Sequence, residues 1–190
     1  MTQTKKETLS SNREWKASAF TAYFSQEERA AELYRSLDQD AGDIGPGDIE
    51  FKTLEGVLFL ARKNDLAFTA GGRVLVISEH QATQNENMPA RNAIYYGRTL
   101  EKLIPPLDIY RRKRIMLPTP QFYTFYNGTD PAPLEQILRL SDSYLEKQDE
   151  PMLELKTKVI NINLAAGHEI LTKSRSMYEY SWLLSNKIGP

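Results

Sequence analysis

Between about residues 15 and 37 apolar side chains recur at helical spacing: Ala19, Phe20, Tyr23, Phe24, Ala30, Leu33, Tyr34 and Leu37. Ser25, with Glu28 three residues on, has the form of a capping box, so the pattern predicts a break near Ser25 and a second helix from there. Residues 1–14 are polar, lack a periodic apolar face and read as a disordered tail. Gly42, Gly45, Pro46 and Gly47 mark 38–48 as an exposed loop. The period then changes. Residues 49–54 suit a short strand, and the apolar run 57–61 fits a buried strand or a short helix equally well. Residues 65–69 and 73–78, β-branched and aromatic-rich around Gly71-Gly72, predict a hairpin.

Pro89 stands where a first helical turn accepts proline, which predicts a helix over 89–104 that Pro105-Pro106 ends. Residues 121–126 read as a central strand stopped by Asn127-Gly128, 154–162 as another strand, and 170–185 as a final helix. The 190 residues, 41% hydrophobic and 26% charged, suit one domain over 15–190 with a hydrophobic core of its own. Absence of cysteine excludes disulfides and thiolate metal sites and suits a reducing compartment. The polar N-terminus argues against secretion, and no apolar run approaches a membrane span, so a cytoplasmic protein is expected. A net charge of −1 gives no global attraction to nucleic acid. The charge is nonetheless polarised: acids gather over 38–50, whereas Arg111, Arg112, Lys113 and Arg114 are consecutive bases. That run is either a solvated connector or a path for DNA phosphates.

The candidate chemistry sits on the hairpin. Alternate strand residues share a face, so Glu79 and Gln81 point one way and His80 the other, where packing is expected for His80. Asp65 and Glu79 would offer hard oxygen ligands for Mg²⁺ or Mn²⁺, and Gln81 an amide to orient a water or a phosphate. Register is decisive. A two-residue loop would oppose Asp65 to Ser78 and turn it to the wrong face, whereas a three-residue loop or a glycine bulge opposes Asp65 to Glu79. An acid removed from such a crowded site would relieve repulsion, so Asp65→Ala and Glu79→Ala are expected to cost little stability. Arg91 and Tyr95, four apart on the predicted helix, share a face.

Asp65 with Glu79-His80-Gln81 resembles the active-site signature of the PD-(D/E)XK nuclease superfamily, with Gln81 at the usual lysine position. The stretches Lys63-Asn-Asp-Leu-Ala-Phe, Val76-Ile-Ser-Glu-His-Gln and Asn87-Met-Pro-Ala-Arg-Asn-Ala-Ile-Tyr-Tyr resemble the bacterial PD-(D/E)XK family transposases, grouped with the Rpn recombination-promoting nucleases and YhgA-like proteins. Ile115-Met-Leu-Pro-Thr-Pro-Gln-Phe-Tyr-Thr-Phe-Tyr-Asn-Gly and Leu153-Glu-Leu-Lys-Thr-Lys-Val-Ile-Asn-Ile-Asn extend the likeness, which spans roughly 15 to 183. It implies an α/β fold with a restriction-endonuclease-like core, a central mixed sheet flanked by helices. It further implies a Mg²⁺-dependent DNA endonuclease of mobile-element or recombination type, acting on DNA and plausible as a homodimer. Asp65, Glu79 and Gln81 would be catalytic, with Asp65 and Glu79 holding the metal. Arg91, Tyr95 and the 111–114 bases would contact DNA.

Three departures support an alternative reading, a non-catalytic DNA- or protein-binding module, and Gln81 at the usual lysine position is the first. Ala17 stands where members of that family often carry an aspartate, with Glu14 and Glu32 as candidate substitutes. The chain also ends at Pro190, where relatives continue into a helical region.

Overall fold

The computed structural model describes residues 19–52 and 65–186, position 65 by its backbone alone. The tail, Ala17 and the 57–61 run lie outside those residues. The elements are α1 (19–24), α2 (Glu27–Leu37), β1 (Ile49–Phe51), β2 (Asp65–Ala70), β3 (Val74–Gln81), α3 (Met88–Leu103), β4 (Thr119–Tyr126), β5 (Glu135–Arg139), β6 (Lys156–Asn161), α4 (Ile170–Lys173) and α5 (Arg175–Asn186). The strands form one six-stranded mixed sheet in the order β1-β2-β3-β4-β6-β5. Pairing is antiparallel from β1 to β3, parallel across β3–β4 and β4–β6, and antiparallel at β5–β6. Helix α3 makes the crossover that parallel β3 and β4 require.

Helices cover both faces, so β3 is buried from Leu75 through His80 and its sequence is nearly continuously apolar. On one face Phe20, Phe24, Leu33, Phe68, Val76, Phe125, Ile160 and Tyr180 pack into a core beneath α1, α2 and α5. On the other, Ala67, Leu75, Ile77 and Phe122 pack beneath Tyr95 of α3. The two sets alternate along each strand, as the pleat dictates. Among the described residues no helix is long and apolar enough to cross a membrane.

The hairpin turn sets the register of everything after it. Ala70 pairs with Val74, which leaves Gly71, Gly72 and Arg73 as a three-residue loop. Gly71 and Gly72 take φ of +56° and +63°, the left-handed region that a β-carbon disfavours. Asp65 consequently pairs with Glu79, the register that the candidate site needs.

The structure corrects the expected elements in three places. Strand β5 was not foreseen, because Glu135–Arg139 is a mostly exposed edge strand with one polar face, and β6 supplies its pairing. The final helix is broken at Ser174, whose backbone is extended and whose Oγ accepts the Met177 N–H at 3.0 Å. Glu32 of α2 holds that break open, accepting the Ser176 N–H at 3.0 Å and the Ser174 hydroxyl at 3.1 Å. The first helix does break near Ser25, but no capping box forms. Gln26 is the N-cap without a side-chain bond, and the Ser25 hydroxyl donates to the Thr21 carbonyl.

Candidate functional site

Glu79 and Gln81 occupy the last turn of β3 on the face that α3 covers, with Thr124 of β4 beside Glu79 in register. Position 65 lies directly across from Glu79 on the other side of β3. Pro89 is the second residue of α3, whose first turn lies above this corner, so Arg91 and Tyr95 face the sheet. Asn92 fastens the helix down, its Nδ2 donating to Thr157 Oγ1 of β6 at 2.9 Å, both residues buried. Gly128 closes the far side of the corner. A β-carbon there would collide with the Ala82 carbonyl and the Tyr126 ring.

Glu79 is 4% exposed, and Arg91 covers both of its oxygens. Nη2 donates to Oε2 at 2.8 Å and Nη1 to Oε1 at 3.3 Å, a two-pronged ion pair in a largely dry setting. Arg91 Nη2 also donates to the Tyr95 hydroxyl at 3.0 Å, which orients the guanidinium from behind. Gln81 turns its amide Nε2 to Glu79 Oε1 and, at 3.1 Å, to the Met88 sulfur. Glu79, Gln81, Arg91 and Tyr95 are thus one connected network. The surface ion pair that Arg91 alone would suggest is instead a half-buried bond to the candidate acid.

Beyond Gln81 the strand ends and the loop before α3 form a cavity of about 240 Å³, bounded by Gln81, Gln84, Asn85, Thr124, Gln136 and Val159 among others. The Thr124 hydroxyl is inaccessible and has no hydrogen-bond partner among the described residues. The sequence did not single out Met88, Thr124 or Gln136. Met88 and Thr124 read as ordinary core positions, and Gln136 belongs to the unforeseen edge strand.

Other sequence-predicted residues fall elsewhere. His80 lies on the opposite face, its ring edge-on to Tyr180 at 5.8 Å, as its parity predicts. Arg111, Arg112, Lys113 and Arg114 are exposed in the connector after α3, and Arg111 pairs with Asp108 at 3.0 Å. That connector is anchored at the far end of the sheet. Helix α3 carries it about 20 Å away from Arg91, and β4 begins opposite Val74, about 16 Å of strand before Thr124. Both ends of the connector that carries the basic run are therefore fixed away from Glu79. Glu32 does not replace the acid missing at position 17, because the N-terminus of α5 on the opposite face holds it. Burial by itself would raise the Glu32 carboxyl. The bonds from Ser176 and Ser174 outweigh that and hold it below the ordinary value.

Among the described residues no three His, Asp or Glu side chains meet in a metal-binding group. The Glu79 carboxylate and the Gln81 amide oxygen are donors of the type a hard cation takes. Arg91 covers both oxygens of that carboxylate, so a cation would compete with the guanidinium for it. Compared with protein-family models, curated proteins and solved structures, the chain matches none.

Proposed function

We propose that this protein is a metal-dependent DNA endonuclease with a restriction-endonuclease-like PD-(D/E)XK core, acting in the cytoplasm in a mobile-element or recombination setting. The observation that carries this reading is the odd hairpin register, which opposes Asp65 to Glu79 and sets Gln81 two residues on, beside a helix whose Arg91 is an anion-binding group. Asp65 and Glu79 would hold Mg²⁺ or Mn²⁺, which supplies an acidified water and neutralises charge on the phosphoryl oxygens. Arg91 exchanges Glu79 for the scissile phosphate, offering the same two N–H groups to its oxygens. Tyr95 stays bonded to the guanidinium through that exchange and fixes its direction. Gln81 orients the attacking water by its amide but cannot take up the proton at neutral pH. Arg111 to Arg114 meet phosphates well away from the cut.

Supercoiled plasmid incubated with purified protein and Mg²⁺ should be nicked and linearised. Glu79→Ala should abolish this, and Gln81→Ala should slow it by about 10²-fold, the typical effect of one lost positioning group. Cleavage that survives Glu79→Ala overturns the assignment. A second reading, a DNA- or protein-binding module without catalysis, is favoured by one observation: Arg91 already covers both Glu79 oxygens and Gln81 donates toward them. Calorimetric titration with Mn²⁺ in the presence of DNA separates the two, since the module reading requires that no metal binds.

A further inference from the structure

The cavity beyond Gln81 has a composition that the phosphodiester chemistry leaves unexplained. Four neutral amides line it (Gln81, Gln84, Asn85 and Gln136), and Leu138 and Val159 give it an apolar side. Glu86 is the one charged residue among those lining it, and no cation is present there to receive a phosphate. At about 240 Å³ it is smaller than the usual 300–1,000 Å³ of drug-sized ligand sites. These features select a small, neutral, flat ligand with paired donors and acceptors on its edge.

The amides are positioned to serve one. Gln136 has no hydrogen-bond partner among the described residues, so its carbonyl and its NH₂ are both on offer. Asn85 uses its oxygen to accept the Asn87 N–H at 3.0 Å, which leaves the NH₂ group. Gln84 is held by donation to the Pro131 carbonyl at 2.8 Å, so the loop wall is set before any ligand arrives. Side-chain amides form two-point contacts with base edges, and an apolar wall accepts the face of a ring. Gln81 lines the cavity and also bonds to Glu79, so whatever fills the cavity lies next to the Glu79–Arg91 pair.

We propose that this cavity takes one unstacked nucleobase of a DNA strand whose adjacent phosphate lies at Arg91 and Glu79. The identification of the phosphate site rests on the nuclease reading. The added content is the substrate class, DNA that presents an unpaired nucleotide rather than an intact duplex. An unpaired base reaches such a cavity at least cost, because no pair has to be opened.

The test uses three labelled duplexes: fully paired, with a single bulged thymidine, and with the same bulge carrying an abasic residue. Affinities are read by fluorescence anisotropy with Ca²⁺ in place of Mg²⁺. The thymidine bulge should bind about tenfold more tightly than the abasic one, as one stacked and hydrogen-bonded base implies. Gln136→Leu should reduce that ratio, and Gln136→Trp, which fills the cavity from an exposed position on the edge strand, should bring it to one. The abasic duplex reports whether each variant still binds DNA. Equal binding of the two bulges by the unmodified protein overturns the proposal, as does a preference that survives Gln136→Trp. Plasmid cleavage in Mg²⁺ without any preference for the base leaves the nuclease reading standing alone. A base preference without cleavage keeps the cavity assignment and overturns the catalytic one. Failure to bind any of the three duplexes overturns both.

Discussion

A single ion pair governs how the candidate site responds to mutation. Sequence reasoning treats Glu79 as one of two crowded acids, whose removal relieves repulsion. Among the described residues its closest charged partner is Arg91 at 2.8 Å, with Glu79 almost entirely out of water. Truncation would remove the acceptor of two Arg91 N–H bonds, and the loss of one partner of a buried polar pair costs about 1–3 kcal/mol. Arg91 keeps its bond to Tyr95 and is about one-third exposed (34% of its side-chain surface), which places the cost at the lower end. Glu79→Ala should therefore lower the denaturant midpoint measurably, and Glu79→Gln, which retains an acceptor, should lower it less. An unchanged midpoint in Glu79→Ala would mean that the pair carries no net stability. A lost midpoint would not by itself speak against catalysis, so cleavage has to be scored in a variant shown to be folded.

Elements are joined here by polar residues at their ends, and the clearest case is the α2–α5 contact. Glu32 satisfies donors at the start of α5 that would otherwise be orphaned in a packed interior. Its carboxyl is held below the ordinary value in the fold, so folding favours the charged form. The stability this supplies is complete above the unfolded carboxylate range, about pH 4.3, and is lost as pH falls through the folded value. Glu32→Gln should therefore cost under about 1 kcal/mol at neutral pH and flatten the acid limb of a plot of Tm against pH. Parallel acid limbs in the two proteins would show that Glu32 does not titrate with folding. The Ser174 break depends on the same contact. The apolar spacing from Ile170 to Leu184 is helical throughout, and the Glu32 contact from α2 and the Ser174 cap on α5 together favour an interruption.

Among the described residues the Glu79–Arg91 pair and the basic run belong to different parts of the fold. The Glu79–Arg91 corner lies at one end of the sheet, and the connector that carries the basic run leaves α3 about 20 Å of helix away and enters β4 at the other end. If that run follows phosphates, it does so at a distance from the reaction. Replacing Arg111, Arg112, Lys113 and Arg114 together by alanine should weaken DNA binding in low salt. It should also reduce the slope of log affinity against log salt by up to about 3 to 4, while the rate of cleavage at saturating DNA stays unchanged. An unaltered salt slope would return the run to the solvated-connector reading. A collapse of the saturated rate would place it closer to the chemistry than its anchoring implies.

The sequence by itself determined what is local. The helical spacing of Phe20, Phe24 and Leu33, the proline that opens α3, and the strand composition on either side of Gly71-Gly72 each reflect short-range sterics or periodicity, and the structure contains those elements. It also determined parity, so that Glu79 and Gln81 had to lie on one face and His80 on the other. What it left open was every quantity set by residues distant in the chain. The count of loop residues in the hairpin depended on whether Arg73 joined the turn or the strand, and that choice decides whether position 65 faces Glu79 at all. Strand β5 exists because β6 offers it a ladder, the break at Ser174 because Glu32 reaches it, and the Arg91 bond to Glu79 because α3 is pinned through Asn92. Only the break has a local element, the Ser174 hydroxyl that caps α5 by accepting the Met177 N–H. Each is a hydrogen bond or ion pair between residues far apart in sequence, whose free energy is gained only when packing has already brought them together.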